Sequence, residues 1–239
     1  MPLYGRLVAL AALLLAATLA GCGGGGEEKP DASSIGNEDL VAMALTKADL
    51  GPEFADFQES AAPDTNEERV QTASDPEDER KDQQTFGRIG GYDRQLVAPN
   101  ITIQAGATLI VQIGVTLFAD DDGASGDLHD AVGDIQARVG RTDLSPLLET
   151  ADQFPVPRLG DESLGLRTRA SVAPEQGGPG TLYVTYFWFR RDRIIGDVAI
   201  ARGDDADVSQ QAQTIASLLD ERIDQVLGRL ATPSPASTP

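Results

Sequence analysis

The sequence predicts an α+β domain in which an antiparallel β-sheet is covered by helices on one face. Apolar and polar residues alternate from 107 to 118, and apolar runs at 181–189 and 194–201 have the spacing of a hairpin. An apolar stripe at helical spacing over 208–230 indicates a long C-terminal helix. Runs of strands with helices between and after them are typical of a sheet packed against helices.

The first half of the domain has one predicted helix, one acidic segment and one strand. Residues 37–50 have helical spacing, with Asn37 as N-cap and Gly51 as the stop. Residues 58–85 are polar and strongly acidic, which favours a mobile loop because little apolar surface offsets the cost of ordering. The strand at 107–118 buries its odd positions from Leu109 to Leu117, with Gly114 as a candidate bulge.

The second half begins with a helix that Ser125 would cap and Gly140 would end. A strand is expected over 164–172, and the hairpin that follows is predicted to turn through a longer loop at 190–193. The apolar stripe of the last helix has Leu219 near its middle. We expect this stripe to pack on the apolar face of the 107–118 strand.

A single cysteine lies at the end of Leu19-Ala20-Gly21-Cys22, after one positive charge at Arg6 and an apolar run of about 14 residues. This tetrapeptide resembles the lipobox of bacterial lipoproteins, which implies cleavage before Cys22 and lipid on its sulfur. A retained membrane span is the alternative, but the run is shorter than the roughly 20 residues that a bilayer requires. The resemblance places the protein in the cell envelope, anchored to the outer face of the cytoplasmic membrane, or to an outer membrane if one is present.

The expected organisation follows from this boundary. Residues 1–21 form the signal peptide, 22–36 a flexible tether, 37–230 one domain that includes the acidic loop, and 231–239 a disordered tail. The formal charge of −19 becomes −20 when the signal peptide is removed, because Arg6 is its only charged residue. Such an excess of negative charge repels polyanions, so nucleic acid is not an expected partner.

Residues with catalytic or metal-binding potential are few, and no cofactor or metal is expected. His129 is the only histidine, and an exposed helical position is favoured for it over a role as general base. The segment from Asp120 to Gly123 suggests calcium, but an EF-hand register would place Phe118 and His129 where carboxylates are required. Charge stabilisation at a helix N-terminus is the alternative for these aspartates. Carboxylates are so abundant that a catalytic pair, as in a glycosidase, stays open.

The most suggestive ligand-binding feature is the aromatic strand near residue 185. Tyr183, Phe187 and Phe189 share one face of it, and the arginines that follow are a basic cluster in a very acidic chain. The first interpretation is a central strand packed on both faces, with a solvated turn. The second is a ligand groove lined by those three aromatics and three arginines, which are Arg190, Arg191 and Arg193.

The segment Gly160-Asp161-Glu162-Ser163, continuing into Leu164-Gly165-Leu166-Arg167, precedes an aromatic strand that ends Phe189-Arg190-Arg191. Over residues 86–230 this pattern resembles uncharacterised PsbP-like and sensor-type extracytoplasmic lipoprotein domains. The resemblance implies a binding role. The sequence therefore predicts a lipid-anchored extracytoplasmic module for an unknown envelope ligand or protein, without catalysis. The alternative is an envelope hydrolase that uses paired carboxylates.

Overall fold

The computed structural model describes residues 35–73, 75–99, 108–143, 146–172 and 180–231. The predicted signal peptide, Cys22, nearly all of the predicted tether and the tail from 232 lie outside these ranges. Ile35, which lies within the predicted tether, is buried in the core. None of the helices in the described ranges has the length and apolarity that crossing a bilayer requires.

Seven strands form one sheet in the order β1-β2-β3-β7-β6-β5-β4, and every neighbouring pair is antiparallel. The strands are β1 (Gln58–Asp64), β2 (Arg88–Val97), β3 (Thr108–Phe118), β4 (Leu147–Gln153), β5 (Glu162–Val172), β6 (Gly180–Arg191) and β7 (Ile194–Arg202). The α+β class with an antiparallel sheet is confirmed.

Six α-helices surround the sheet in the described ranges. They are α1 (Asn37–Met43), α2 (Lys47–Leu50), α3 (Asn66–Thr72), α4 (Pro76–Phe86), α5 (Asp121–Ala137) and α6 (Ser209–Ala231), and one 3-10 turn covers Pro52–Phe54. The long C-terminal helix is confirmed within one residue of its predicted bounds at either end.

One face of the sheet carries the main hydrophobic core, beneath α1 and α6. Val111, Ile113 and Val115 of β3 are fully buried there, together with Leu219 of α6. Leu109 departs from the predicted stripe: a register irregularity beside it moves it into a smaller cluster with Ile110. Packing a helical stripe on an alternating strand removes both apolar surfaces from water in one layer. The predicted partner of the α6 stripe is β3, but α6 lies mainly against β6 and β7, whereas α1 lies against β2 and β3. The β3 side chains share one hydrophobic core with α6 without being its main contact.

The opposite face is covered as well, which differs from the expected single helical layer. There α5 packs Leu128, Val132 and Ile135 against the sheet, with Phe118 and Trp188 among their neighbours. The reason is the composition of β6, which is apolar on both sides and therefore needs a layer on each. The central position of this strand, the first of the two interpretations above, matches the sheet order.

The acidic segment 58–85, predicted as a mobile loop, forms β1, α3 and α4 instead. Its order comes from polar contacts. β1 pairs with β2 along its whole length, Thr65 caps α3, and Asp75 caps α4 with two backbone contacts of 3.1 Å. Val70 and Phe86 supply the little apolar burial there is. Composition alone underestimated these caps and backbone pairings.

Several boundaries also differ from prediction. The helix expected over 37–50 is broken at Ala44, and a second short helix is capped by Thr46. Helix α5 begins five residues earlier than predicted because Asp120, not Ser125, is the N-cap and accepts a hydrogen bond from Gly123 N at 2.8 Å. The β6–β7 hairpin turns through two residues, and Asp192 adopts a left-handed φ of 57° to make this tight turn.

Helices α4 and α5 meet through two aspartates, Asp82 and Asp130. The Oδ2 atom of each is buried and has no hydrogen-bond partner among the described residues. Burial raises the pKa of Asp82 to about 6, and repulsion from Asp78 adds to this. Burial likewise raises the pKa of Asp130 to about 7, and repulsion from Asp134 is the largest contribution from a neighbouring charge.

Candidate functional site

A groove of about 350 Å³ opens on the α5 face of the sheet, over the part that α5 leaves uncovered. Its floor comes from β2, β3, β7 and β6, and its rim comes from β1 and α3. The lining side chains used below are Ala62, Asp64, Arg69, Asp93, Gln95, Gln112, Thr116, Tyr186, Trp188, Asp197 and Ala199. A concave site of this volume falls in the range of small-molecule pockets.

The sheet register sets out the floor in rows across the strands. Asp93 of β2 is opposite Gly114 of β3, which is opposite Asp197 of β7, which is opposite Trp188 of β6. The next row contains Gln95, Gln112, Ala199 and Tyr186 in the same order. Gly114 is therefore regularly paired and makes no bulge, contrary to the sequence-based expectation.

Gly114 instead leaves space for the two carboxylates beside it. A Cβ at this position would lie 2.1 Å from Oδ1 of Asp197 and 2.8 Å from Oδ1 of Asp93. Both oxygens therefore converge above one backbone position and lie within about 5 Å of each other. Any side chain at residue 114 would push them apart.

The two carboxylates hold their protons more tightly than exposed aspartates do. Burial is the main cause of the raised pKa of Asp93, and the charges of Asp64 and Asp197 add to it. Burial also raises the pKa of Asp197, again with a contribution from Asp64. The arginines Arg69 and Arg88 act in the opposite direction without cancelling the effect.

Those arginines are held by other partners. Arg88 donates to Oδ2 of Asp64 at 2.5 Å and to Oδ1 of Asn66 at 2.5 Å. Arg69 contacts the same Asp64 oxygen at 3.1 Å and Oε1 of Glu79 at 3.1 Å. This ionic wall joins β1, β2 and α3, and it fixes one end of the groove.

An aromatic wall stands at the opposite side of the floor. The rings of Tyr186 and Trp188 are stacked, with centroids 4.9 Å apart and planes 3° from parallel. Burial raises the pKa of Tyr186 to about 12, so its hydroxyl stays protonated at physiological pH. The groove thus combines an apolar wall with a polar floor, as ligand pockets usually do.

The aromatic face proposed from sequence as a groove lies elsewhere. Phe187 and Phe189 have no exposed surface and pack in the core beneath α6, so they line no groove. Tyr183 is partly buried and lies outside the groove lining. The aromatic residues that do line the groove, Tyr186 and Trp188, belong to the other face of the same strand.

The three arginines of the predicted basic cluster lie outside the groove too. Arg190 contacts Asp161 and Glu162 at 3.5 Å each. Arg191 donates to both oxygens of Asp220, at 2.7 and 2.8 Å. Arg193 accepts a backbone hydrogen bond from Phe118 N at 3.0 Å. Ion pairs with the acidic surroundings account for Arg190 and Arg191, which leaves little of the expected basic surface at this turn.

The other candidate residues from the sequence, His129 and the aspartates after β3, belong to helix α5 and its cap and do not line the groove. His129 is exposed on α5 and its Nε2 contacts Oε1 of Glu162, consistent with a helical surface residue. Asp120 caps α5, the alternative expected for this acidic run. The described ranges contain no group of three His, Cys, Asp or Glu side chains placed to hold a metal ion.

Sequence reasoning missed Asp93 and Asp197, although one signal was available. Asp197 interrupts the apolar run from Ile194 to Ala201, where a charged residue in a central strand is costly. The polar positions of β3, Gln112 and Thr116, also identify the face that is not fully packed. What the sequence could not provide is the register that brings residues 93, 114 and 197 together.

The arrangement of the two carboxylates suits the binding of a positively charged group. Both have raised pKa values, mainly because both are buried, and the charge of Asp64 adds to the effect. A cation placed between them would stabilise the ionised form of both.

No protein-family model matches the chain, and no curated protein matches its sequence. Its fold is similar to that in the crystal structure of the extracellular domain of PknH from Mycobacterium tuberculosis. The TM-score is 0.54 and the identity 12%, and the match covers 84% of this chain and 100% of the other. The α+β architecture is therefore shared with an extracellular domain, and nothing in this comparison supports the hydrolase alternative.

Proposed function

We propose that the protein is a non-catalytic extracytoplasmic binding module that holds a small ligand in the groove on its sheet. The observation that carries this proposal is the groove itself, with a volume of about 350 Å³, an aromatic wall and converging polar groups on rigid strands. The fold shared with an extracellular domain supports an extracytoplasmic location.

The packing around the groove favours recognition by a rigid site. Its floor consists of the interior strands β2, β3, β7 and β6, whose backbones are fixed by neighbours on both sides. Residues such as Gln112 and Ala199 therefore hold their positions without a ligand. A preformed site of this kind loses little conformational entropy on binding.

The anchoring part of the proposal rests on sequence. The lipobox-like tetrapeptide ending at Cys22 supports lipid attachment, and at least two acyl chains give stable membrane binding. The residues between Cys22 and Ile35 would then connect the membrane to the folded domain. Under this proposal the groove samples molecules at the outer face of the membrane.

The experiment is a thermal-shift screen of small molecules on the purified protein, comparing wild type with Ala199→Phe. Ala199 lies on the groove floor, so a phenyl ring there occupies the space of a ligand. A ligand present at 100 times its Kd adds about 2.7 kcal/mol to the free energy of unfolding of wild type. We expect the variant to lose this stabilisation.

The matched control is Ala206→Phe, in the exposed loop before α6, which should respond to ligands like wild type. If Ala199→Phe does not fold, Ala62→Phe fills the groove from its β1 rim. Ligands that stabilise the groove variants as much as wild type would refute the proposed site. A screen that finds no stabilising ligand would refute the proposed function.

A further inference from the structure

We infer that the ligand of the groove carries a primary ammonium group, which lies between the carboxylates of Asp93 and Asp197. This inference rests on the proposed function and narrows it to a class of ligand. The groove provides the space for such a ligand, and the two carboxylates on its floor provide the negative charge that would bind the ammonium group.

The Oδ1 atoms of Asp93 and Asp197 converge above Gly114 and lie within about 5 Å of each other. Charge-assisted N–H···O contacts are about 2.7–2.9 Å long. One nitrogen can therefore contact both oxygens at once, and the absence of a side chain at residue 114 keeps that space free.

Asp93 and Asp197 have no ion-pair partner among the described residues, whereas the nearby Arg69 and Arg88 are engaged by Asp64. Asp127 of α5 is a further buried acidic residue near these groups, and burial raises its pKa to about 6. The groove thus has an excess of carboxylates over free cations, and a ligand cation would compensate it.

The aromatic wall lies beside the carboxylate pair. In the register, Trp188 is directly beside Asp197, and Tyr186 stacks on Trp188 at 4.9 Å. Aromatic rings favour both a nearby cation and the methylene groups attached to it. An amine on a short carbon chain therefore matches the floor and the wall together.

A metal ion fits less well. Calcium takes six to eight oxygen ligands and magnesium demands near-octahedral geometry. Asp93 and Asp197 are two carboxylates, and the described ranges offer no third acidic or histidine side chain placed with them for a metal. Two convergent oxygens beside an aromatic wall suit an organic cation better.

The test measures binding of n-hexylamine to the purified protein by titration calorimetry, with hexan-1-ol and hexanoate as ligands of equal chain length. We expect the amine to bind at least about tenfold more tightly than either. Because its charge promotes ionisation of the two carboxyls, binding should release protons. That release is measured as a difference in heat between two buffers of unequal ionisation enthalpy.

The variants are Asp93→Asn, Asp197→Asn and Gly114→Ala, each checked for folding by circular dichroism. We expect each to weaken amine binding about tenfold or more, the first two by removing a charge and the third by separating the oxygens. Asp205→Asn, in an exposed loop, is the matched control and should bind like wild type.

The inference is overturned if hexylamine binds no more tightly than hexanol, or if both Asn variants bind it unchanged. It is also overturned if calcium alone binds and displaces the amine. Its failure is distinguishable from failure of the proposed function. Screen ligands lost on Ala199→Phe would keep the groove as a binding site even if no amine bound.

Discussion

Arg88 offers the sharpest test of why the acidic segment before it is ordered. Its side chain is 3% exposed and contacts Oδ2 of Asp64 and Oδ1 of Asn66, each at 2.5 Å. In Arg88→Met the apolar volume is kept, but Asp64 loses one of its two cationic partners. Breaking a buried ion pair costs about 3–5 kcal/mol. Because Arg69 still contacts Asp64 at 3.1 Å, we expect the free energy of unfolding to fall by about 3 kcal/mol, the lower end of this range.

The assay is urea unfolding of the purified protein, followed by limited proteolysis under native conditions. The variant should unfold at a lower urea midpoint and become sensitive to cleavage between Asp64 and Phe86, where wild type is protected by β1, α3 and α4. Arg141→Met is the control, since Arg141 and Asp143 are 56% and 61% exposed and this variant should match wild type. If Arg88→Met unfolds at the wild-type midpoint, the ion pairs do not hold the segment.

Three further predictions address the core, the pH dependence and the anchor. Leu219→Ala should cost about 2–5 kcal/mol in urea unfolding, because the side chain is fully buried, whereas exposed Gln225→Ala should stay within about 0.5 kcal/mol. The pKa values of about 6 for Asp82 and about 7 for Asp130 lie above the ordinary 3.8, so the folded state binds more protons than the unfolded one. After a discount for solvent screening, these two groups should lower the free energy of unfolding by roughly 1–3 kcal/mol from pH 5 to 8. Asp130→Asn should make the pH profile less steep but not flat, because Asp93, Asp127 and Asp197 also have raised pKa values, and a flat wild-type profile would contradict the prediction. Cys22→Ser should abolish labelling by a radioactive fatty acid and release the protein from membranes, and unchanged labelling would refute the lipid anchor.

The elements that the sequence predicted well are those whose apolar residues follow one period. The alternation in β3 and the stripe of α6 each bury one surface, so periodicity alone located both elements. Periodicity did not give the right partner strands for α6, which are β6 and β7. Asp220 shows the limit of this reasoning. Its position off the apolar stripe predicts a residue that tolerates change, yet it is buried and accepts hydrogen bonds from Nε and Nη2 of Arg191.

The acidic segment and the groove could not be predicted for a related reason. Both depend on contacts between residues distant in the chain, such as Asp64 with Arg88, or Asp93 with Asp197 across Gly114. Composition shows how many charges a segment has, but not whether each finds an opposite charge. The lipobox-like motif differs from these contacts, because it consists of four consecutive residues and can be recognised without knowledge of the fold. Lipid attachment at Cys22 stays a prediction.

The two outer strands of the sheet have a consequence for self-association. An open edge can pair with the edge of another molecule and start aggregation. β1 carries Glu59 and Pro63, and proline has no N–H to donate, while β4 carries Glu149 and Asp152. Glu59 and Glu149 are neutralised by Arg94 and Arg169, so the interruption at Pro63 is the clearer obstacle to a full ladder of hydrogen bonds at the β1 edge. Such an edge disfavours extension of the sheet from one molecule into the next.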